Sequence, residues 1–126
     1  QRILIIDDEE VIRNVLSELL SEMGHSVIEA ANGAEGLSLY RERWRDIDVV
    51  IIDMIMPEMN GRDAFQAMKE INPGVRGILS SGFSMEVASQ SIFEDGIAGF
   101  IHKPYRKSEL AEKLRTVLEI KKEKSV

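Results

Sequence analysis

Four acidic residues in succession, Asp7, Asp8, Glu9 and Glu10, follow the apolar run Ile3 to Ile6, and another aspartate, Asp53, ends the apolar run Val49 to Ile52. Ser80 and Ser81 close a further run that starts at Gly77, and Lys103 closes the run Gly99 to His102 immediately before Pro104. As chemistry, this is a kit of two carboxylates to hold a hard cation, one carboxylate free to attack, and a hydroxyl and an ammonium to donate to an oxyanion. Carboxylates a few ångströms apart repel, so Asp7, Asp8 and Asp53 together would need a divalent ion or Lys103 to offset them. Oxygen-only ligation with room for water and phosphate suits Mg²⁺ better than zinc or copper. Such an ion would screen an incoming phosphoryl donor and stabilise charge in the transition state. Asp53 could then attack phosphorus in line and form an aspartyl phosphate. Lys103 would pair with one phosphate oxygen as a point charge, and the Ser81 hydroxyl would donate to another.

These residues can meet only if a scaffold brings their chain segments together. Short apolar, β-branched runs at Ile3 to Ile6, Val27 to Ala30, Val49 to Ile52, Gly77 to Ser80 and Gly99 to His102 are too short for stable helices and read as five strands. The first and third are apolar throughout, the pattern of parallel strands covered on both faces. Between them, Val11, Ile12, Val15, Leu16, Leu19, Leu20 and Met23 recur at spacings of three and four, which predicts an amphipathic helix stopped by Gly24. Similar patterns predict helices near Ala34 to Arg43, Arg62 to Ile71, Met85 to Asp95 and Ser108 to Ile120, with Asn72, Pro73 and Gly74 ending the third. Strand and helix alternate five times, which implies right-handed crossovers and a doubly wound α/β domain with a parallel sheet and helices on both faces. Ligands bind such sheets beyond the carboxyl ends of the strands, where all of the residues above fall.

Composition narrows the function classes. A length of 126 residues makes one domain, and the hydrophobic (44%) and charged (30%) fractions suit a packed globular chain. The absence of cysteine excludes disulfides, thiolate metal sites and a cysteine nucleophile. A net charge of −6 argues against direct nucleic-acid binding. Neither a membrane span nor a signal peptide is expected, so the compartment reads as cytoplasmic, although Gln1 is not an initiator residue and the chain reads as a possible piece of something longer.

The sequence resembles the receiver domains of two-component response regulators from Ile3 to about Leu118. LIIDDEE, IIDMIMPEMNG, LSSGF and AGFIHKPY carry the resemblance, four motifs in the right order and strand contexts. It implies the flavodoxin-like strand order 2-1-3-4-5, a receiver domain over residues 1–120 and a charged tail or linker over 121–126. It implies that Asp53 is the phosphoacceptor and that Asp7, Asp8, Asp53 and the backbone carbonyl of Ile55 hold Mg²⁺. Ser81 and Phe100 would be the switch residues and Lys103 the phosphate-pairing lysine; Ser81 is preferred to Ser80 because the small residue Gly82 follows it. Two departures from the commonest pattern are the serine at 81 and a phenylalanine, lacking a hydroxyl, at 100. The implied donor is the phosphohistidine of a sensor histidine kinase or histidine phosphotransfer protein, meeting the region of the first helix. The face of the fourth predicted helix, fifth strand and fifth helix would change on phosphorylation and form a homodimer or dock an output partner. The implied activity is confined to the domain's own phosphorylation and dephosphorylation. Apolar Ile55 and Phe83 would flank a hydrolytic water, so slow self-dephosphorylation is expected.

Blander readings compete at each position. Acids at a helix start also suit the positive end of the macrodipole, and Glu9 is secondary on that ground. His25 and His102 lack metal-ligand partners and read as structural; Trp44 reads as a cap on the core, and Met54, Met56, Met59 and Met68 as packing. Three other functions compete with the switch. An aspartyl-phosphate hydrolase acting on external substrates would usually carry an aspartate at position 55, where Ile55 stands. A binding module that has lost phosphorylation has no reason to keep Asp7, Asp8, Asp53, Ser81 and Lys103. A flavin carrier would need a Ser, Thr and Gly loop after the first strand, where four acids stand instead.

Overall fold

The computed structural model describes residues 1–54, 56, 58–81, 96–103 and 105–124, with side chains through Glu119. Five strands, β1 (Arg2–Ile6), β2 (Ser26–Ala30), β3 (Val49–Asp53), β4 (Gly77–Ser81) and β5 (Gly99–His102), form one sheet in the order β2-β1-β3-β4-β5, all pairs parallel. The described helices are α1 (Glu10–Glu22), α2 (Gly33–Arg43), α3 (Gly61–Ile71) and α4 (Lys107–Lys124), with a 3₁₀ turn at Trp44–Asp46. This is the expected doubly wound, flavodoxin-like fold. The predicted helix from Met85 to Asp95 lies outside the described residues.

Each strand divides its side chains between two cores because successive residues point to opposite faces. Leu4, Ile6, Val50, Ile52 and Leu79 pack with Tyr40, Phe65 and Met68 of α2 and α3. Ile3, Ile5, Val49, Ile51, Ile78 and Ile101 pack with Leu16 and Leu20 of α1 and Leu110, Leu114 and Val117 of α4. The central strands β1 and β3 are therefore buried on both sides, as their uninterrupted apolar sequence requires. Trp44 packs at the margin of the α2/α3 core with Arg45 over its ring. Met56 and Met68 are buried in that core, and Met54 packs on its edge.

One expectation needs correction. Val11 and Val15 count as core-facing by spacing, but they are 71% and 43% exposed. The buried residues of α1 are Leu16 and Leu20, with Leu19 and Met23 packed against the same core. Both valines therefore lie off the stripe that meets the sheet.

Helix ends follow local chemistry. Asn32 and Asn60 cap α2 and α3, their side-chain oxygens accepting from the N–H groups of Glu35 at 2.8 Å and Asp63 at 2.9 Å. After α1 the chain reverses through Gly24, whose φ of +91° a residue with a Cβ adopts only at a cost.

Candidate phosphoacceptor site

The strand order reverses between β1 and β3, and at their carboxyl ends the acidic residues converge. The register pairs Ile6 with Ile52, so Asp7 and Asp53 follow side by side. Carboxylate oxygens of Asp7, Asp8 and Asp53 all lie within 4.8 Å of one another. Asp7 is 2% and Asp53 6% exposed, whereas Asp8 is open to solvent.

Contacts among the described residues hold this arrangement. The Asp7 Oδ1 accepts from the Glu9 N–H at 2.9 Å, which tightens the turn into α1. The Asp7 carbonyl accepts from Arg13 Nη1 at 2.7 Å, while Arg13 Nε lies 3.5 Å from Glu29 on β2. Lys103, just beyond β5, places Nζ 2.9 Å from Asp7 Oδ2 and 3.3 Å from Asp53 Oδ1. Burial by itself would lower the Lys103 pKa, but the contact with Asp7 and the charge of Asp53 outweigh it and hold the ammonium above the ordinary lysine value.

The start of α3 lies close against the end of β3. The Gly61 N–H donates to the Met54 carbonyl at 3.0 Å, and a Cβ at Gly61 would stand 2.4 Å from the Asp53 carbonyl oxygen. Only glycine lets α3 start against the backbone of Asp53.

The donor set suits a hard divalent cation. It is all oxygen, and two of its carboxylates are desolvated, with the buried Asp7 Oδ2 2.9 Å from the Lys103 ammonium. Ile55, the expected carbonyl ligand, lies outside the described residues, as do Gly82, Phe83 and Pro104.

The remaining expected residues fall on two faces. Ser81 is buried at the end of β4. Alternation along β4 and β5 puts it with Leu79 and Phe100 on the α2/α3 side, and Phe100 packs against that core. Ser80 is the ladder partner of Asp53 on the opposite side, and its Oγ lies 2.5 Å from the Tyr105 hydroxyl. His25 is half-buried in the turn after α1, and His102 is exposed. Sequence reasoning did not find Arg13, which looks like part of the polar face of α1. It also did not find the Ser80–Tyr105 pair, whose one signal is two hydroxyl residues in LSS and KPY.

A doubly wound sheet with clustered aspartates and a lysine at its switch point defines a class, and the family model for the response regulator receiver domain matches residues 3–115. The chain belongs to that family. It is 35% identical to the chemotaxis protein CheY of Thermotoga maritima over 118 residues, covering 93% of this chain and 97% of that protein. It is 30% identical to the sensor kinase CckA of Brucella abortus over 117 residues, covering 93% of this chain but 12% of the kinase. Among solved structures, the CheX–CheY–BeF3–Mg²⁺ complex of Borrelia burgdorferi superposes with a TM-score of 0.88 at 26% identity, covering 92% of this chain and 87% of that one. The domain is a phosphoacceptor signalling switch of the two-component type. Among the described residues no helix is long and apolar enough to cross a membrane.

Proposed function

We propose that Asp53 accepts the phosphoryl group, with Mg²⁺ held by Asp7, Asp8, Asp53 and the carbonyl of Ile55. The observation that carries this reading is the position of the Lys103 ammonium, 2.9 Å from Asp7 and 3.3 Å from Asp53, beside carboxylates within 4.8 Å of one another. When bound, the cation supplies charge neutralisation between the acidic cluster and the phosphoryl oxygens. An Asp53 oxygen forms the new O–P bond as the P–N bond of a phosphohistidine breaks, and the electron pair leaves with the imidazole. Lys103 pairs with a phosphoryl oxygen, and the Ser81 hydroxyl donates to another. Movement of Ser81 toward the phosphoryl group would free space for Phe100, which shares its sheet face.

Within this reading residues 1–120 form the receiver unit and 121–126 a charged tail or linker whose first residues, 121–124, continue α4. The donor is a sensor histidine kinase or histidine phosphotransfer protein, and the setting is cytoplasmic. The face of β5, α4 and the predicted Met85–Asp95 helix changes with phosphorylation and serves a homodimer or an output partner. The domain assists its own phosphorylation and dephosphorylation and acts on no external substrate.

The test is incubation with acetyl phosphate or phosphoramidate and Mg²⁺, followed by intact mass. One retained phosphoryl group is expected, absent in Asp53→Asn. Steady turnover of the donor without retention would indicate an external hydrolase and overturn the reading.

A further inference from the structure

Behind the acidic cluster lies a pair of hydroxyls that phosphoryl transfer itself does not use. Ser80 is buried at 1% exposure and its Oγ lies 2.5 Å from the Tyr105 hydroxyl. Ser80 is fixed to the acceptor strand twice over. It is the ladder partner of Asp53, and its carbonyl accepts from the N–H of Met54, the next residue, at 2.8 Å. Tyr105 lies two residues beyond Lys103 and packs against the α1/α4 core. Burial pushes its pKa up to about 12, so it stays a neutral hydrogen-bonding group. The hydroxyl pair thus joins the strand beside Asp53 to the turn that carries Lys103.

That turn sets where a long, flexible side chain starts. Lysine has four rotatable bonds, and its ammonium is a point charge with no geometry of its own. Its placement depends on how firmly the backbone is held at both sides. Before the side chain, the Lys103 N–H donates to the Ser81 carbonyl at 3.0 Å. After it, among the described contacts, Tyr105 is held by its hydroxyl on Ser80 and by its packing in the α1/α4 core.

We propose that the Ser80–Tyr105 hydrogen bond is a positioning latch for Lys103, clamping the turn after β5 to β4 so that the ammonium stays between Asp7 and Asp53. This inference rests on the phosphoacceptor reading. Ser80 and Tyr105 are positioning residues, acting through Lys103. Lys103 and a divalent cation face the same Asp7 carboxylate, so releasing the latch has a distinctive outcome. Phosphoryl uptake falls because the ammonium is less often in place, yet Mg²⁺ binding is unchanged or tighter because Asp7 is less often engaged. General loosening of this end of the sheet would weaken both together.

The experiment uses the full chain as wild type, Tyr105→Phe, Ser80→Ala, the double variant, Lys103→Met, and Lys103→Met with Tyr105→Phe. Both hydroxyl deletions keep the packing volume close to native, and circular dichroism melts check folding. If Tyr105→Phe fails to fold, Ser80→Ala carries the test. Uptake from acetyl phosphate at saturating Mg²⁺ is followed by intact mass, and Mg²⁺ affinity by titration calorimetry. Each single hydroxyl variant should slow uptake about five-fold, the scale of one net hydrogen bond. The double variant should be no slower than either single one, and Mg²⁺ should bind at least as tightly as to wild type. Tyr105→Phe should change nothing further once Lys103 is Met. Wild-type uptake rates in both singles, a parallel loss of Mg²⁺ affinity, or an added loss in the Lys103→Met background would each overturn the latch. Failure of the wild-type chain to retain any phosphoryl group would instead overturn the phosphoacceptor reading, and the latch with it.

Discussion

Two nearly buried aspartates against one lysine set the character of this site, and the balance can be read at single residues. Lys103 is held charged by Asp7 and Asp53, with its pKa raised above the ordinary 10.5. A group whose folded pKa is raised contributes stability that is complete below the unfolded value and is lost as pH climbs through the folded one. Lys103→Met should therefore lower stability by about 3 kcal/mol without Mg²⁺, because it strands buried carboxylates. That difference should be constant from about pH 7 to 9 and shrink above about pH 10.5, as read by urea melts across pH. A difference that already vanishes near neutral pH would contradict the pairing. A second residue-scale expectation concerns decay of the aspartyl phosphate. With apolar Ile55 and Phe83 beside the acceptor motifs, the phosphorylated domain should outlast a variant with polar residues at both positions. Intact mass over time, with Mg²⁺ and no phosphatase, measures this, and equal half-lives would refute it.

At the scale of elements, α1 shows how a helix pattern overstates a buried stripe. Leu16 and Leu20 carry its contact with the sheet, while Val11 and Val15 stand in solvent. Leu20→Ala should cost about 3 kcal/mol, as expected where a buried side chain leaves a cavity. Val15→Ser should change stability by less than about 0.5 kcal/mol, as at exposed positions generally. Paired denaturant melts decide the point; equal costs would mean that the helix packs by a different face. The same helix begins where Arg13 reaches back to the Asp7 carbonyl, so the element that packs the core also fixes the turn that carries Asp7 and Asp8.

For the whole molecule, assembly of the site and stability are coupled. Folding brings Asp53 against the neighbouring Asp7 and Asp8, so a cation that needs all three carboxylates stabilises the folded state. Mg²⁺ at a hundred times its dissociation constant should add about 2.7 kcal/mol, raising Tm by roughly 10 °C for a domain of this size. Asp8→Asn should remove most of that gain while leaving the metal-free melt unchanged or raised, because it relieves like-charge repulsion with Asp7 and Asp53. A Mg²⁺-independent Tm in the wild-type chain would mean that the cluster holds no such ion.

Strand identity, the parallel pairing of the sheet and the acids and lysine at its strand ends were legible in residue patterns, while the strand order came with the family resemblance. An uninterrupted apolar run such as Val49 to Ile52 admits few structures, and a charged residue just past it has few places to go. Tertiary structure decided what depends on distance between segments remote in sequence. The valines of α1 face solvent because the sheet meets a narrower stripe than the periodicity allows. Arg13 reaches Asp7 and Glu29 because β1 and β2 lie side by side. Ser80 meets Tyr105 because β4 and the turn after β5 adjoin, 25 residues apart along the chain. Local patterns fix which way a residue tends to point, but whether two hydroxyls come within hydrogen-bonding distance is set by strand register and packing, which no local pattern contains.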